Sequence, residues 1–241
     1  DDLLGDAYEY LMRKFATDSG KSKGQFYTPS EVSQIIAKVI GSANIKQKSG
    51  TVYDPTAGSG SLLLKVANET PKGITIYGQE NDVATKAMAM MNMWIHNNVE
   101  ADIRQGNTLA NPLFKQNSSL KTFDLVVSNP PFSFKKWTNG VDTEHDEFGR
   151  FDGYGIPPNK NGDYAFFLHV IKSINSKGKG AIILPHGALF RANVEADIRK
   201  EIINRGYIKG IIGLPQNLFY GTGIPASIIV IDKENAESRK G

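Results

Sequence analysis

No cysteine occurs among the 241 residues, which excludes both a disulfide framework and a thiolate metal site. The four histidines are scattered and show no metal-ligand spacing, so no metal site is expected. No apolar run approaches the roughly 20 residues that a membrane helix needs, and no signal peptide opens the chain. Neither sign of charge dominates: 28 basic residues face 25 acidic ones, for a formal net charge of +3. That balance carries no case for nucleic-acid binding, so any such reading has to come from motifs. A soluble cytoplasmic protein is expected, long enough for one large α/β domain. The chain opens on Asp1, inside an apparent helix with Leu3, Leu4, Ala7, Tyr8, Leu11, Met12 and Phe15 at helical spacing, and ends on the polar "KENAESRKG". Both ends read as those of a piece of a longer polypeptide.

What is present alternates. A loop, "DSGKSKGQFYTPSE", leads into a helix that begins at Ser30 and carries Val32, Ile35, Ile36, Val39 and Ile40 on one face. Then come the strand "TVYDP", a helix over Ser61–Asn68, the strand "ITIYGQE", a helix over Val83–Asn97, a short strand near Ala101–Arg104 and "FDLVVSNPP". Residues Ser133–Asn161 break the rhythm: polar, glycine-bearing and without a period, as in long functional or disordered loops. Regularity returns with a helix over Asp163–Ile174, the strand "GAIILPH", a helix over Asn193–Asn204, and the strands "IKGIIGLP" and "ASIIVID". Such alternation predicts a doubly wound, mostly parallel sheet with helices on both faces. The last two strands leave no room for a helix between them, so they are read as an antiparallel hairpin.

Four stretches carry chemistry. In "DPTAGSGSLL" a strand ends at Asp54, and Ala57, Gly58 and Gly60 turn the chain into a helix. Such a turn is either simple punctuation or the place where a nucleoside cofactor meets the backbone. Glu80 ends the next strand 20 residues after Gly60, where an acid accepts ribose hydroxyls, although a solvated strand-end charge reads the same way. A carboxylate at Asp54 would repel a pyrophosphate and suits a cation, which favours S-adenosylmethionine over NAD or ATP. Asn107 in "GNTL" suits either a turn or an adenine edge. "GQFYTP" is either a stapled helix start or a lid whose Gln25, Phe26, Tyr27 and Thr28 cover the cofactor.

The fourth stretch is Asn129-Pro130-Pro131-Phe132. The Asn129 side-chain oxygen and the Pro130 carbonyl are two acceptors suited to an exocyclic amine, the double proline freezes the backbone behind them, and Phe132 offers a stacking surface.

Taken in order, "GQFYTP", "DPTAGSGSLL", "YGQEND", "GNTL" and "SNPPF" resemble the DNA adenine-N6 methyltransferases, and more narrowly the modification subunits of type I restriction–modification systems. "GAIILPHGALF" and "IIGLPQNLFYGTGIPASIIVI" extend the likeness through nearly the whole chain. The resemblance implies a Rossmann-like catalytic domain over residues 50–241, preceded by N-terminal helices with a lid motif over residues 1–49. It implies S-adenosylmethionine as cofactor, with Gln25, Phe26, Tyr27 and Thr28 lining its pocket, Asp54, Ala57, Gly58 and Gly60 at the methionine part, Glu80 at the ribose and Asn107 at the adenine. Asn129, Pro130, Pro131 and Phe132 would grip an adenine flipped out of double-stranded DNA. A specificity subunit and a restriction subunit are the implied partners, and Lys135, Lys136 and Lys160 are candidates for phosphate contacts. Related enzymes often carry Asp where this chain has Asn107. Methylation of a glutamine amide or an RNA base, or a cofactor-binding scaffold without chemistry, stands as the alternative.

Overall fold

In the computed structural model, the residues described are 7, 8, 10–12, 14, 28–45, 50–71, 73–219 and 223–240. Short runs rich in Val, Ile, Tyr and Phe form most of the strands, since β-branched and aromatic side chains pack well on a pleated surface. These are β1 (Thr51–Asp54), β2 (Thr75–Glu80), β3 (Asp102–Gln105), β4 (Lys115–Gln116), β5 (Ser119–Leu120), β6 (Phe123–Ser128), β7 (Ile174–Pro185), β8 (Ile208–Gly213) and β9 (Ala226–Asp232). Seven of them make one sheet in the order β3-β2-β1-β6-β7-β9-β8, while β4 and β5 form a small hairpin apart from it. The strands from β3 to β7 run parallel. β9 lies antiparallel to both β7 and β8, so the expected hairpin is present, with β9 as its inner strand.

The β1–β2, β2–β3 and β6–β7 connections each carry a helix, and alternate side chains along a strand point to opposite faces. On one face Val52, Ile76, Leu125, Ala181, Ile183, Ile228 and Val230 pack against α1 (Ser30–Val39), α2 (Ser61–Asn68) and α3 (Val83–Ile95). On the other, Tyr53, Val126, Ile182, Leu184, Ile229 and Ile231 pack against α4 (Asp163–Ser173) and α5 (Val194–Asn204). α4 is sandwiched so thoroughly that nearly every one of its side chains is buried. α3 stops two residues short of the predicted end because Asn97 adopts φ +59°. β7 begins at Ile174, six residues earlier than "GAIILPH" suggests. Ile174 and Lys179 pair with β6 on either side of a register shift, and Gly178 and Gly180 admit the β6 backbone: a Cβ at Gly180 would lie 2.6 Å from the Val126 carbonyl oxygen.

Residues 133–161 contain no helix or strand, yet they are folded in. Trp137 is fully buried and its indole N–H donates to the Pro158 carbonyl at 3.0 Å. Arg150 and Asp146 form a buried ion pair, and Arg150 Nη1 donates to the Leu109 carbonyl in the loop after β3.

At the amino ends of the central strands, Asp124 Oδ2 accepts from the Thr51 N–H at 2.9 Å and its hydroxyl at 2.8 Å, and Oδ1 accepts from Asn175 Nδ2 at 3.0 Å. One carboxylate therefore ties β1, β6 and β7 together. Asp124→Ala is expected to lower unfolding stability by about 1.5–3 kcal/mol in a denaturant titration.

Candidate functional site

β1 sits between β2 and β6, and the chain leaves β1 toward β2 but returns to form β6 on the other side. Loops leaving the carboxyl ends of β1 and β6 therefore diverge, and such a crossing point opens a crevice in doubly wound sheets. Side chains define its geometry. Asp54, 1 % exposed at the end of β1, accepts through Oδ1 from the Thr56 N–H at 2.8 Å and the Thr56 hydroxyl at 3.2 Å. The Thr56 hydroxyl is in turn 2.8 Å from that of Ser128, the last residue of β6. Burial pushes the Asp54 carboxyl up to about 7, against the pull of the two Thr56 bonds, and the neighbouring Glu80 adds to the rise.

The turn after Asp54 needs its glycines. Gly58 and Gly60 have φ of +54° and +79°, and a Cβ on Gly60 would come within 2.6 Å of Met93 Cε. Ala57 is buried, and its N–H donates to the Gln79 carbonyl at 3.0 Å. Glu80 closes the turn: Oε2 accepts from the Gly58 N–H and Oε1 from the Asp82 N–H, each at 2.9 Å. Burial raises its pKa, opposed by these backbone bonds.

After β3, Asn107 Oδ1 accepts from the N–H groups of Leu109 at 3.0 Å and Ala110 at 3.3 Å. The turn-forming role is thus real, and it commits the oxygen, leaving the amide nitrogen as the group that Asn107 has to offer a ligand. Gln79, fully buried on β2, stitches the same loop down by donating to the carbonyls of Gly106 and Asn111 and accepting from the Leu113 N–H.

After β6, Asn129 is 4 % exposed and its Nδ2 donates to the Thr28 hydroxyl at 3.1 Å. Thr28 thereby braces Asn129. Pro130 is buried, Pro131 and Phe132 are half-buried, and the Phe132 ring meets Phe219 edge-on at 5.7 Å.

A cleft of about 250 Å³ lies where these loops meet, lined among others by Thr56, Glu80, Asn107, Asn129, Pro131 and Phe134. The structure thus brings Glu80, Asn107, Asn129 and Pro131 into one cavity. Asp54, Ala57, Gly58 and Gly60 form the turn that joins β1 to α2. Gln25, Phe26 and Tyr27 lie outside the described residues. Thr56, Gln79, Ser128 and Phe134 escaped the sequence reading. For Thr56 a signal existed, since Asp-Pro-Thr is a typical Asx turn; the partners of Gln79 and Ser128 are distant in sequence and left none.

With this geometry in place, comparison with known proteins decides the family. Residues 1–241 match the model of the family described as N-6 DNA Methylase. The chain belongs to the N-6 DNA methylase family. Among curated relatives, this family member is 36% identical to the type I restriction enzyme MpnII methylase subunit of Mycoplasma pneumoniae, over 96% of this chain and 44% of that protein. It is 33% identical to the MjaIX methylase subunit of Methanocaldococcus jannaschii, over 100% of this chain and 43% of that protein. A solved structure, the methyltransferase subunit of a type I restriction–modification system from Streptococcus thermophilus, matches with a TM-score of 0.84 at 38% identity, covering 96% of this chain and 49% of that one. The methylase-family chain described here therefore spans about half the length of the relatives it matches.

Asp54 gives a pH prediction. Its folded pKa, about 7, lies above the ordinary 3.8, so its contribution to stability is fully present below pH 3.8 and is lost as pH rises through 7. Asp54→Asn, which keeps an oxygen for Thr56, is expected to raise the thermal midpoint of the ligand-free protein clearly more at pH 8 than at pH 5, because pH 5 lies between the two pKa values and only part of the stability is lost there. A scanning calorimetry pair at the two pH values checks this.

Proposed function

We propose that the protein to which these residues belong transfers a methyl group from S-adenosylmethionine to the N6 amine of adenine in double-stranded DNA. In this reading it is the modification subunit of a type I restriction–modification system, working with a specificity subunit and a restriction subunit. The observation that carries the reading is the meeting of Glu80, Asn107 and Asn129 in one cleft, each from the carboxyl end of a different strand (β2, β3 and β6). Membership of the N-6 DNA methylase family favours adenine over a glutamine amide or an RNA base.

The site suits a cationic, phosphate-free nucleoside. In a dinucleotide site the glycine-turn N–H groups face a pyrophosphate; here the Gly58 N–H is already taken by the half-buried Glu80, and a buried acid, Asp54, stands near by. When bound, S-adenosylmethionine supplies an electrophilic methyl group. Glu80 retains lone pairs for the ribose hydroxyls beyond those used by Gly58 and Asp82. Asn107 donates through its amide nitrogen to a ring nitrogen of the cofactor adenine. Asp54 and the turn it anchors hold the positively charged methionine part.

On the acceptor side, the target adenine leaves the base stack, at a cost of a few kcal/mol that protein–DNA contacts offset. Asn129 Oδ1 and the Pro130 carbonyl accept the two N–H bonds of its amine. These bonds draw the nitrogen toward a tetrahedral form, so that its lone pair, delocalised in the free base, points at the methyl carbon. As the N–C bond formed, the S–C bond of the sulfonium would break, leaving the neutral thioether S-adenosylhomocysteine and a positive charge on the amine. The amine would then lose its proton to water, so a strong base is not needed beforehand. Phe132 stacks on the base, worth roughly 1–3 kcal/mol in comparable contacts. Lys135, Lys136 and Lys160, all exposed, meet phosphates beside the site.

A calorimetric titration with S-adenosylmethionine, using NAD as control, tests the cofactor half. Binding of the former alone is expected, and Glu80→Ala should weaken it about 10- to 100-fold through loss of two charge-assisted hydrogen bonds. An unchanged dissociation constant would remove Glu80 from the ribose site. Asn129→Ala should abolish methyl transfer to DNA by the assembled enzyme while leaving cofactor affinity largely intact; retained transfer would contradict the acceptor role.

A further inference from the structure

The acceptor loop does not hold itself in place. Ser133, the residue after Phe132, has φ +52°, a left-handed conformation that a residue with a side chain adopts at a cost unless its surroundings impose it. Here the surroundings impose it at two points. The Ser133 N–H donates to Asp163 Oδ1 at 2.7 Å, and the Phe134 carbonyl accepts from the Gly162 N–H at 3.0 Å. Gly162 is required there, since a Cβ would lie 2.8 Å from Trp137 Cβ and 3.1 Å from the Phe134 carbonyl oxygen.

Asp163 is the first residue of α4 and is fully buried. Its carboxylate does not cap its own helix; it reaches outward to the turn. A buried carboxylate persists only when paired, and the pairing comes from the loop after β7. Arg191 Nη2 donates to Asp163 Oδ2, while Arg191 Nε and Nη2 also hold the buried Glu195 of α5. Arg199 braces this loop from α5 by donating to the carbonyls of Ala188 and Arg191. The chain of contacts thus runs from α5 through Arg191 and Asp163 to a single backbone N–H one residue past the Asn-Pro-Pro-Phe motif.

What that N–H controls is the direction of two rings. Phe132 turns toward Phe219, and Phe134 turns to the cleft with 36% of its surface exposed. A buried ion pair is a weak source of net stability, and its best-attested use is to fix one arrangement among several. Resting on the function proposed above, we infer that Asp163 and Arg191 are positioning residues for methyl transfer. Their ion pair holds the Ser133 N–H and thereby fixes the Phe132–Phe134 turn against which the target base is placed. Neither residue lines the cleft or reaches the cofactor turn, so the role is specific to the acceptor half.

The test uses the full-length subunit assembled with the partner that delivers DNA, and three readouts: single-turnover methyl transfer at saturating S-adenosylmethionine, cofactor dissociation constant, and thermal midpoint. Asp163→Asn keeps an oxygen for Ser133 but turns an N–H donor toward Arg191. It should slow transfer about 10- to 100-fold, the scale of a reacting group misplaced by about an ångström, with the cofactor dissociation constant unchanged. Arg191→Lys, which keeps the charge facing Asp163 without the planar fork, should regain part of the rate that Arg191→Met loses. A folded Asp163→Asn enzyme with the parental rate would overturn the proposal, as would a rate loss matched by an equal loss of cofactor affinity. If Asp163→Asn does not fold, the comparison of Arg191→Lys with Arg191→Met decides, and equal rates overturn the role. Absence of methyl transfer to DNA adenine by the unsubstituted enzyme would overturn both this role and the function it rests on. That failure is read before any variant is made.

Discussion

The site depends on one bond between neighbours that part company. β1 and β6 run side by side in parallel, but their outgoing loops turn to opposite sides, and the Thr56 and Ser128 hydroxyls, 2.8 Å apart, tie the strand ends together just before they separate. On the β1 side the glycine turn follows, and on the β6 side Asn129 and its two prolines. A loose crossing point would let the two halves drift. Transfer between two bound groups demands the opposite, since reacting atoms must be held within about 3–3.5 Å and in line. The hydroxyl pair, the Asx turn at Asp54 and the Gln79 stitches to the β3 loop form one rigid frame for both halves.

Charge is distributed unevenly across that frame. On the proposed cofactor side stand two acids, Asp54 buried and Glu80 half-buried, whose partners among the described residues are uncharged: Thr56 holds Asp54, and backbone N–H groups hold Glu80. Burial raises the pKa of both, so the folded chain carries an electrostatic cost that a positively charged ligand would relieve. On the acceptor side the buried acids Asp163 and Glu195 share Arg191. One half of the site therefore pairs its acids with uncharged partners among the described residues, as the proposed cationic ligand requires, and the other is neutralised internally to hold a shape. Strain and unmet charge of this kind tend to collect at functional sites.

Much of this was legible in the sequence, for physical reasons that differ by element. The parallel core could be read from near-continuous apolar strands, as expected for strands buried on both faces, and the closing hairpin from a connection too short for a crossover. The Ser61–Asn68 helix announced itself by Leu62, Leu63 and Leu64 after a glycine turn. The start of β7 was hidden because "NSKGKG" has the composition of a turn, and only the close approach of β6 makes a strand of it. Residues 133–161 lacked any period because turns and buried anchors such as Trp137 order them, not secondary structure. At the site, residues whose place in the cleft follows from backbone position (Glu80, Asn107, Asn129 and Pro131) could be located from strand ends alone. Thr56 apart, those whose role follows from a distant partner could not: Gln79, Ser128 and Asp163 reach across 27 to 72 residues to act. Asn107 carried two readings, and its committed oxygen bears out the turn, leaving the amide nitrogen on the cleft side for the cofactor role proposed above.

The central claim is that the two acceptors at the end of β6 receive an adenine amine. The most direct measurement is to supply the assembled full-length enzyme with S-adenosylmethionine bearing an isotopically labelled methyl group, together with duplex DNA, RNA and protein, and to identify the labelled product by mass spectrometry. Label is expected in N6-methyladenine of the DNA and in nothing else. Label in a glutamine side chain or an RNA base, or bound cofactor with no transfer to DNA, would contradict it.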